Sequence, residues 1–313
     1  MRKKYKNIVE APVIELNERA EEISIQTFPE SVQIHMNIYR EGDMSFSEKH
    51  WHRLLQFNVV LEGVLQVSVN DKKITIEKGD GIFINKNVLH CLNPKDIPEC
   101  VSYSLQIPAS AICPEKDIPI FEKYVAPIID SEKINYLIFK RDDPKGRKVL
   151  ELLDYAAHKA EKQDFAYELK VKAAIVELWT ILLEYVEDDS LNQVEVDHVM
   201  SVGAERMKEM MSFIHKHYKE KLTLDDIADA ANVSISECNR VFHRFLDATP
   251  IEYLNRVRII QACTLLRRED EKASAIGESV GFAEYSYFHR VFKKYMNCTP
   301  KEYQKHFSSN MGK

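Results

Sequence analysis

Two groups of side chains in this 313-residue chain have types and spacings that could do chemistry. The first lies toward the C-terminal end. Ser236, Asn239, Arg240, His243 and Arg244 recur three and four apart, as do Tyr285, Ser286, His289, Arg290, Lys293 and Lys294. That spacing gathers side chains on one face of a helix. Arginine can read guanine with two hydrogen bonds and asparagine can read adenine, each good pair discriminating by ~1–3 kcal/mol. His243, Arg244, Lys293 and Lys294, toward the helix ends, suit phosphates better. The second group is His50, His52, Gln56, Asn58 and His90. His50, His52 and Gln56 fall on one face of a strand by their even spacing, where imidazoles and amides could orient a polar ligand. A neutral amide at position 56 is a weak ligand for a divalent ion, so a 2-His-1-carboxylate metal site is not available. No metal, cofactor or catalytic residue is expected.

The elements that must position the first group announce themselves by repetition. Residues 240–253 read RVFHRFLDATPIEY and residues 290–303 read RVFKKYMNCTPKEY, which aligns Arg240 with Arg290, Phe242 with Phe292, Pro250 with Pro300 and Tyr253 with Tyr303. Upstream, Ile227-Ala228 pairs with Ile276-Gly277 one residue out of that register. Each copy has the logic of a helix-turn-helix. Leu224, Ile227 and Ala228 form a buried stripe, the small alanine admitting the next helix. The break falls at Asn232-Val233-Ser234, where Ser234 or Ser236 can cap by accepting a backbone N–H. Gly281 supplies the turn of the second copy, where a left-handed backbone is needed. Val241, Phe242 and Phe245, or Val291, Phe292 and Tyr295, then point inward. A purely structural repeat is the weaker reading, because stacked helical repeats normally need at least three units.

The second group sits in a different texture. From about 20 to 107 apolar residues alternate: Leu55, Phe57, Val59 and Leu61, then Leu65, Val67 and Val69, then Ile74 and Ile76, then Ile82 and Ile84. Period 2 broken by Glu62-Gly63, Asn70-Asp71 and Lys78-Gly79-Asp80-Gly81 predicts an antiparallel sandwich or barrel. Between 143 and 186 the period becomes helical, with Val149, Leu152, Leu153 and Ala156 on one helix and Val171, Ala174, Ile175, Leu178, Ile181, Leu182 and Tyr185 on a second. That stripe is either domain core or a partner surface. Acidic and polar residues from 187 to about 197 predict a linker, and everything beyond reads as helical.

Bulk properties fit two folded domains. Apolar residues make up 45% and charged residues 29%, the mix of a globular protein. No run approaches ~18 apolar residues, and the basic start MRKKYKNIVEAP lacks the apolar stretch of a signal peptide, so a cytoplasmic protein with no membrane partner is expected. Six scattered cysteines without a C-x-x-C pair argue for reduced thiols. The net charge of −6 is unevenly spread: from 201 onward there are 18 Lys and Arg against 15 Asp and Glu, a net of +3, leaving −9 for the remainder. Positive charge lies where phosphate contacts would be needed.

Positions ~205–307 resemble the DNA-binding domain of the AraC/XylS family of bacterial transcription regulators, and IGESVGFAEYSYFHRVFKKYMNCTPKEY resembles that family's signature closely. The resemblance implies two helix-turn-helix subdomains joined by a long helix, about 250–266, with recognition helices in successive major grooves of double-stranded DNA, ~34 Å apart. It implies base contacts from Ser236, Asn239 and Arg240, and from Tyr285, Ser286, His289 and Arg290. Gly277 departs from the family's usual alanine, Asp247 and Asn297 from the usual glycine, and Gln304 from the usual arginine; Asp and Asn tolerate a left-handed backbone. The segments around EKHWHRLLQFNVVLEG and GDGIFINKNVLHCLN resemble the two cupin motifs, with Gln56 at the carboxylate position. This implies a barrel holding a small effector, a sugar or other metabolite, lined by His50, His52, Gln56, Asn58 and His90.

The resulting expectation is an α+β two-domain regulator. A cupin-like antiparallel β-barrel over 1–142 is followed by a helical dimerisation segment over 143–188 and a linker over 189–200. A DNA-binding domain over 201–313 carries helix-turn-helix motifs at about 222–245 and 271–295. A homodimer that engages RNA polymerase is expected. Two rivals stay open: an effector-independent dimeric regulator whose histidines are structural, and a metal-binding cupin enzyme fused to DNA-binding modules.

Overall fold

The computed structural model describes residues 32–40, 49–96, 99–114, 118–131, 133–187, 198–268 and 271–308. The expected linker lies outside them but for its last three residues, as do the basic start of the chain and the first dozen residues of the expected strand region. The chain divides into two compact units between Val202 and Gly203.

Among the described residues the first unit carries eight strands: β1 Gln33–Arg40, β2 Leu55–Glu62, β3 Leu65–Val69, β4 Lys72–Ile76, β5 Gly81–Ile84, β6 His90–Pro94, β7 Glu99–Ile107 and β8 Tyr136–Phe139. They form a five-stranded sheet in the order β1-β7-β2-β5-β8 and a three-stranded sheet in the order β4-β3-β6, all neighbours antiparallel. The expected barrel is therefore the two-sheet, jelly-roll form of that fold rather than one closed ring. Consecutive strands β2 and β3 pair in different sheets, and an isolated bridge joins His50 to His90 at the start of β6. The turn signals hold: Asn70 and Gly79 have φ of 52° and 89°, a region the missing Cβ of glycine makes accessible.

Alternation in the large sheet sorts its two faces. Leu55, Phe57, Val59, Phe83, Tyr103, Leu105 and Phe139 join one core, whereas Val60, Ile82 and Ile84 meet Leu65, Val67 and Ile76 of the small sheet in another. Two helices cover the outer face, α1 Pro144–Lys162 and α2 Tyr167–Glu187. Asp143 starts α1 by accepting from the Gly146 amide at 2.7 Å. Val149, Leu153, Ala156, Val171, Ala174, Ile175, Leu178 and Leu182 are buried in the sheet's own core. Much of the stripe that admitted two readings is thus domain core. Tyr155, Phe165, Leu169 and Val176 remain exposed.

The second unit is helical, with α3 His198–His217, α4 Leu224–Asp229, α5 Ile235–Leu246, α6 Pro250–Arg268, α7 Ala273–Ser279, α8 Tyr285–Met296 and α9 Pro300–Ser308. Met207, Met210, Met211 and Ile214 bury one side of α3. The repeated Thr-Pro-x-Glu opens α6 and α9 in the same way. Glu252 and Glu302 accept from the amides of Thr249 and Thr299 at 3.1 and 2.8 Å, and those threonine hydroxyls accept from the glutamate amides at 3.2 Å. Each pair satisfies two orphan donors of a helix start, with proline where no N–H is needed. Among the described residues no helix is long and apolar enough to cross a membrane.

Candidate nucleic-acid interface and ligand site

Each helix-turn-helix is built from short local rules. Thr223 caps α4 by accepting from the Asp226 amide at 3.2 Å while Asp226 accepts from the Thr223 amide at 2.7 Å. The chain reverses through Asn232 at φ 51°, and Ser234 caps α5 by accepting from the Glu237 amide at 3.2 Å. Of the two serines offered by the sequence, Ser234 is the cap and Ser236 stays exposed. In the second copy Gly281 turns at φ 95°, and a Cβ there would stand 2.5 Å from the Tyr218 carbonyl oxygen. Asp247 and Asn297 end α5 and α8 at φ 52° and 54°, the left-handed cap that glycine usually takes.

The buried face of α5 is Cys238, Val241, Phe242 and Phe245, and that of α8 is Phe288, Val291 and Phe292. Tyr295, expected inward, is half-buried, and its hydroxyl donates to the Glu252 carbonyl at 3.4 Å. Phe242 meets Tyr253 at 5.8 Å between ring centroids and Phe292 meets Tyr303 at 5.6 Å, so the repeated aromatic pair pins each helix pair from beneath.

The expected reading residues lie on the opposite faces. Ser236, Arg240 and His243 are exposed on α5, with Asn239 and Arg244 half-buried. Asn239 donates one Nδ2 hydrogen to its own helix at the Ile235 carbonyl, 3.0 Å away, which leaves its second hydrogen and Oδ1 for a base. On α8 Tyr285, Ser286, Arg290, Lys293 and Lys294 are exposed and His289 is half-buried. Arg290 lies over the Tyr287 ring at 5.3 Å, and Lys294 reaches Glu252 at 3.5 Å. The two faces differ in charge: α5 holds Glu237, Arg240 and Arg244, a net of +1, while α8 holds Arg290, Lys293 and Lys294 and no acid, a net of +3. Sequence reasoning missed Glu237, which pairs with Arg240 and with Arg206 of α3. Its spacing of three from Arg240 was the available signal.

The second group converges inside the first unit. His50, His52, Gln56, Asn58 and His90 are all buried. The three ring centroids stand 4.6 to 6.0 Å apart, and one nitrogen of each lies within 4.8 Å of the others. His90 Nδ1 donates to the Val88 carbonyl at 2.8 Å and His52 Nδ1 to the Leu54 carbonyl at 2.9 Å. For His90, fixing Nδ1–H leaves Nε2 as the bare nitrogen of a neutral ring. Among the described residues, Nε2 of His90 is buried without a hydrogen-bond partner, and so is Nδ2 of Asn58. Burial first, then the neighbouring His50 and His52 rings, hold His90 well below the usual imidazole range.

The polar surface is wider than the sequence reading drew it. Gln56 lies between His52 Nε2 at 2.7 Å and Asn58, to whose Oδ1 it donates at 2.6 Å, and Gln106 donates to Gln56 at 3.0 Å. Sheet register continues the row: Gln33 pairs with Gln106 and Gln106 with Gln56, while His35 pairs with Ser104 and Ser104 with Asn58. All of these side chains are buried. The missed signal was polar residues at period 2 within apolar strands, in QIHMN and in SYSLQ.

Residues 227–306 match the family described as a helix-turn-helix domain, and residues 38–101 match the one described as a cupin domain. The HTH-type transcriptional regulator YdeC of Bacillus subtilis is 31% identical over 258 residues, 82% of this chain and 85% of that protein. The melibiose operon regulatory protein of Escherichia coli is 22% identical over 263 residues, 82% of this chain and 83% of that one. The structure of apo ToxT K231A from Vibrio cholerae spans 89% of this chain and 98% of its own at 15% identity, with a TM-score of 0.44, too loose a likeness to carry weight. On the relationship to YdeC and the two domain matches, the chain belongs to the AraC/XylS family of DNA-binding transcription regulators and is a regulator rather than an enzyme.

Proposed function

We propose that α5 and α8 enter successive major grooves of one duplex, with Ser236, Asn239 and Arg240 and then Tyr285, Ser286, His289 and Arg290 facing base edges. His243, Arg244, Lys293 and Lys294 take phosphates. One observation carries this reading: two outward polar faces stand in the same register fifty residues apart, each backed by a buried aromatic face. The protein works as a cytoplasmic homodimer that engages RNA polymerase, with domains over 1–142, 143–188, 189–200 and 201–313.

The buried cluster takes a small polar effector, a sugar or similar metabolite. Its support is that, among the described residues, Nε2 of His90 and Nδ2 of Asn58 have no hydrogen-bond partner on this buried polar face, because a buried polar atom left unsatisfied costs ~1–3 kcal/mol that a ligand hydroxyl can recover. The melibiose regulator's name is in keeping with a sugar. A thermal-shift screen of sugars and metabolites tests it, since a ligand of the folded state raises apparent stability. His50→Ala with His90→Ala should abolish the shift and the effector response while leaving operator affinity intact. A double variant that still responds moves the pocket elsewhere.

A second reading rests on the three histidines alone. Imidazole nitrogens are ligands a borderline ion such as Zn²⁺ takes; these three, within 4.8 Å of one another, would have to draw closer to reach Zn–N bonds of ~2.0–2.1 Å. His50, His52 and His90 would hold it, and it would supply an open coordination position for an oxygen-bearing effector. Elemental analysis of the purified chain, with and without chelator, separates this from the metal-free reading.

A further inference from the structure

The two copies of the reader hold their matching arginines differently. Glu237 Oε2 accepts from Arg240 Nε at 2.8 Å and Oε1 from Arg240 Nη2 at 2.7 Å, a two-pronged contact along one side of the guanidinium. The same Oε1 accepts from Arg206 Nη1 at 3.2 Å. The carboxylate is therefore anchored from α3, a separate element, and braces Arg240 from behind. A guanidinium has five N–H donors in a rigid fork. The brace uses Nε–H and one Nη2–H, leaving Nη1 and the far hydrogen of Nη2 unpartnered among the described residues. Those remaining hydrogens form the terminal edge of the fork, which matches the adjacent O6 and N7 acceptors of guanine. Arg240 is 58% exposed at its side chain while Glu237 is only 22% exposed, so the arginine end projects and the carboxylate stays back.

Among the described residues the second copy has no such brace. Tyr287 occupies the position of Glu237, its hydroxyl accepts from Asn255 Nδ2 at 2.8 Å, and its ring lies 5.3 Å from the Arg290 guanidinium. A flat ring supports a guanidinium without fixing its rotation, and Lys293 and Lys294 add charge beside it.

We propose that Glu237, held by Arg206, is a positioning residue that presents the end of Arg240 for strict guanine reading, whereas α8 binds with more charge and less discrimination. The proposal rests on the reading of α5 as a groove-entering helix. In this arrangement the acid lowers the first helix's attraction for phosphate and raises its selectivity.

The test uses the full chain and a randomised duplex library, followed by titration of the selected duplex and its single-base variants at several salt concentrations. The wild-type chain should prefer guanine at one base pair that Arg240→Ala renders indifferent, by ~5- to 150-fold for a contact of this kind. Glu237→Gln should keep the fold, erase most of that preference and steepen the salt dependence by up to about one unit in the log–log slope. Arg206→Gln should erase part of the preference without steepening the slope. In an Arg240→Ala background Glu237→Gln should change no base preference. Full guanine selectivity in Glu237→Gln overturns the proposal, as does a cytosine preference that disappears with Glu237 alone, which would make the acid itself the reader. If Arg240→Ala leaves every base preference unchanged, the reading of α5 fails and the proposal falls with it. If guanine selectivity persists in Glu237→Gln while Arg240→Ala still destroys it, the reading of α5 stands and only the brace is lost.

Discussion

Single side chains in the helical unit carry both its stability and its selectivity, and each can be addressed alone. His215 is buried in α3 with Nε2 2.9 Å from the Tyr253 hydroxyl, and burial pushes its pKa down to about 4. An unfolded histidine titrates near ~6.5. Below that value the unfolded chain takes up a proton that the folded unit refuses, so stability falls as pH drops from about 6.5 toward 4. The loss approaches ~3 kcal/mol at the bottom of the window. His215→Gln, which can keep the bond to Tyr253, should flatten that part of the profile in pH-dependent urea melts; an equal slope would mean that other groups govern acid stability. On the reading face, Arg290→Ala should weaken operator binding by ~1–3 kcal/mol and relax the preference at one base pair, as measured by titrating the selected duplex and its single-base variants. An unchanged profile would remove Arg290 from the reading set.

Elements are where the duplication can be checked against physical chemistry, because the same helix pair is solved twice with different side chains. The first copy places Ala228 on α4 and Cys238 on α5; the second places Gly277 on α7 and Phe288 on α8. A Cβ on Gly277 would come within 2.7 Å of the Phe288 ring. The glycine that departs from the family's alanine is thus matched to a larger partner across the interface. Gly277→Ala gains ~1 kcal/mol of helix propensity but overpacks a close contact, at a cost of ~1–3 kcal/mol. The net effect should be destabilising in denaturant melts, and the overpacking cost should vanish in a Phe288→Leu background. Additive effects would show that the two positions are not coupled. The repeat, the turns and the left-handed caps were legible in the sequence because each is set by residues within a few positions of one another. The two-sheet arrangement was not, since it depends on β2 and β3 choosing partners in different sheets. Nor was the full polar row: Gln33, Gln106 and Gln56 meet only through register across three strands. The brace on Arg240 needed Arg206 from a helix thirty-four positions away, and no local pattern announces such a partner.

At the scale of the whole molecule, an effector site in one unit and a DNA reader in the other matter to each other only if the ligand has different affinities for the arrangements that do and do not engage the operator. Dimerisation bears on that coupling, because a paired regulator gains operator affinity from two linked contacts. Much of the stripe first read as a possible partner surface is buried against the sheet, which transfers the question to what α1 and α2 leave outside. Leu169 and Val176 are seven apart on α2, at 70% and 40% exposure, and Phe165 in the preceding turn is 93% exposed. Side chains seven apart share a helix face, and apolar groups on one exposed face mark an interaction surface more often than scattered ones do. Leu169→Glu with Val176→Glu removes that face without touching the buried stripe, so each substitution should shift the unit's own stability by no more than ~0.5 kcal/mol. Sedimentation should turn from dimer to monomer, and affinity for a duplex with two copies of the selected site should drop while that for one copy stays the same. A variant that sediments as a dimer would exclude this face as the interface, and a wild-type chain that sediments as a monomer would exclude the dimer itself.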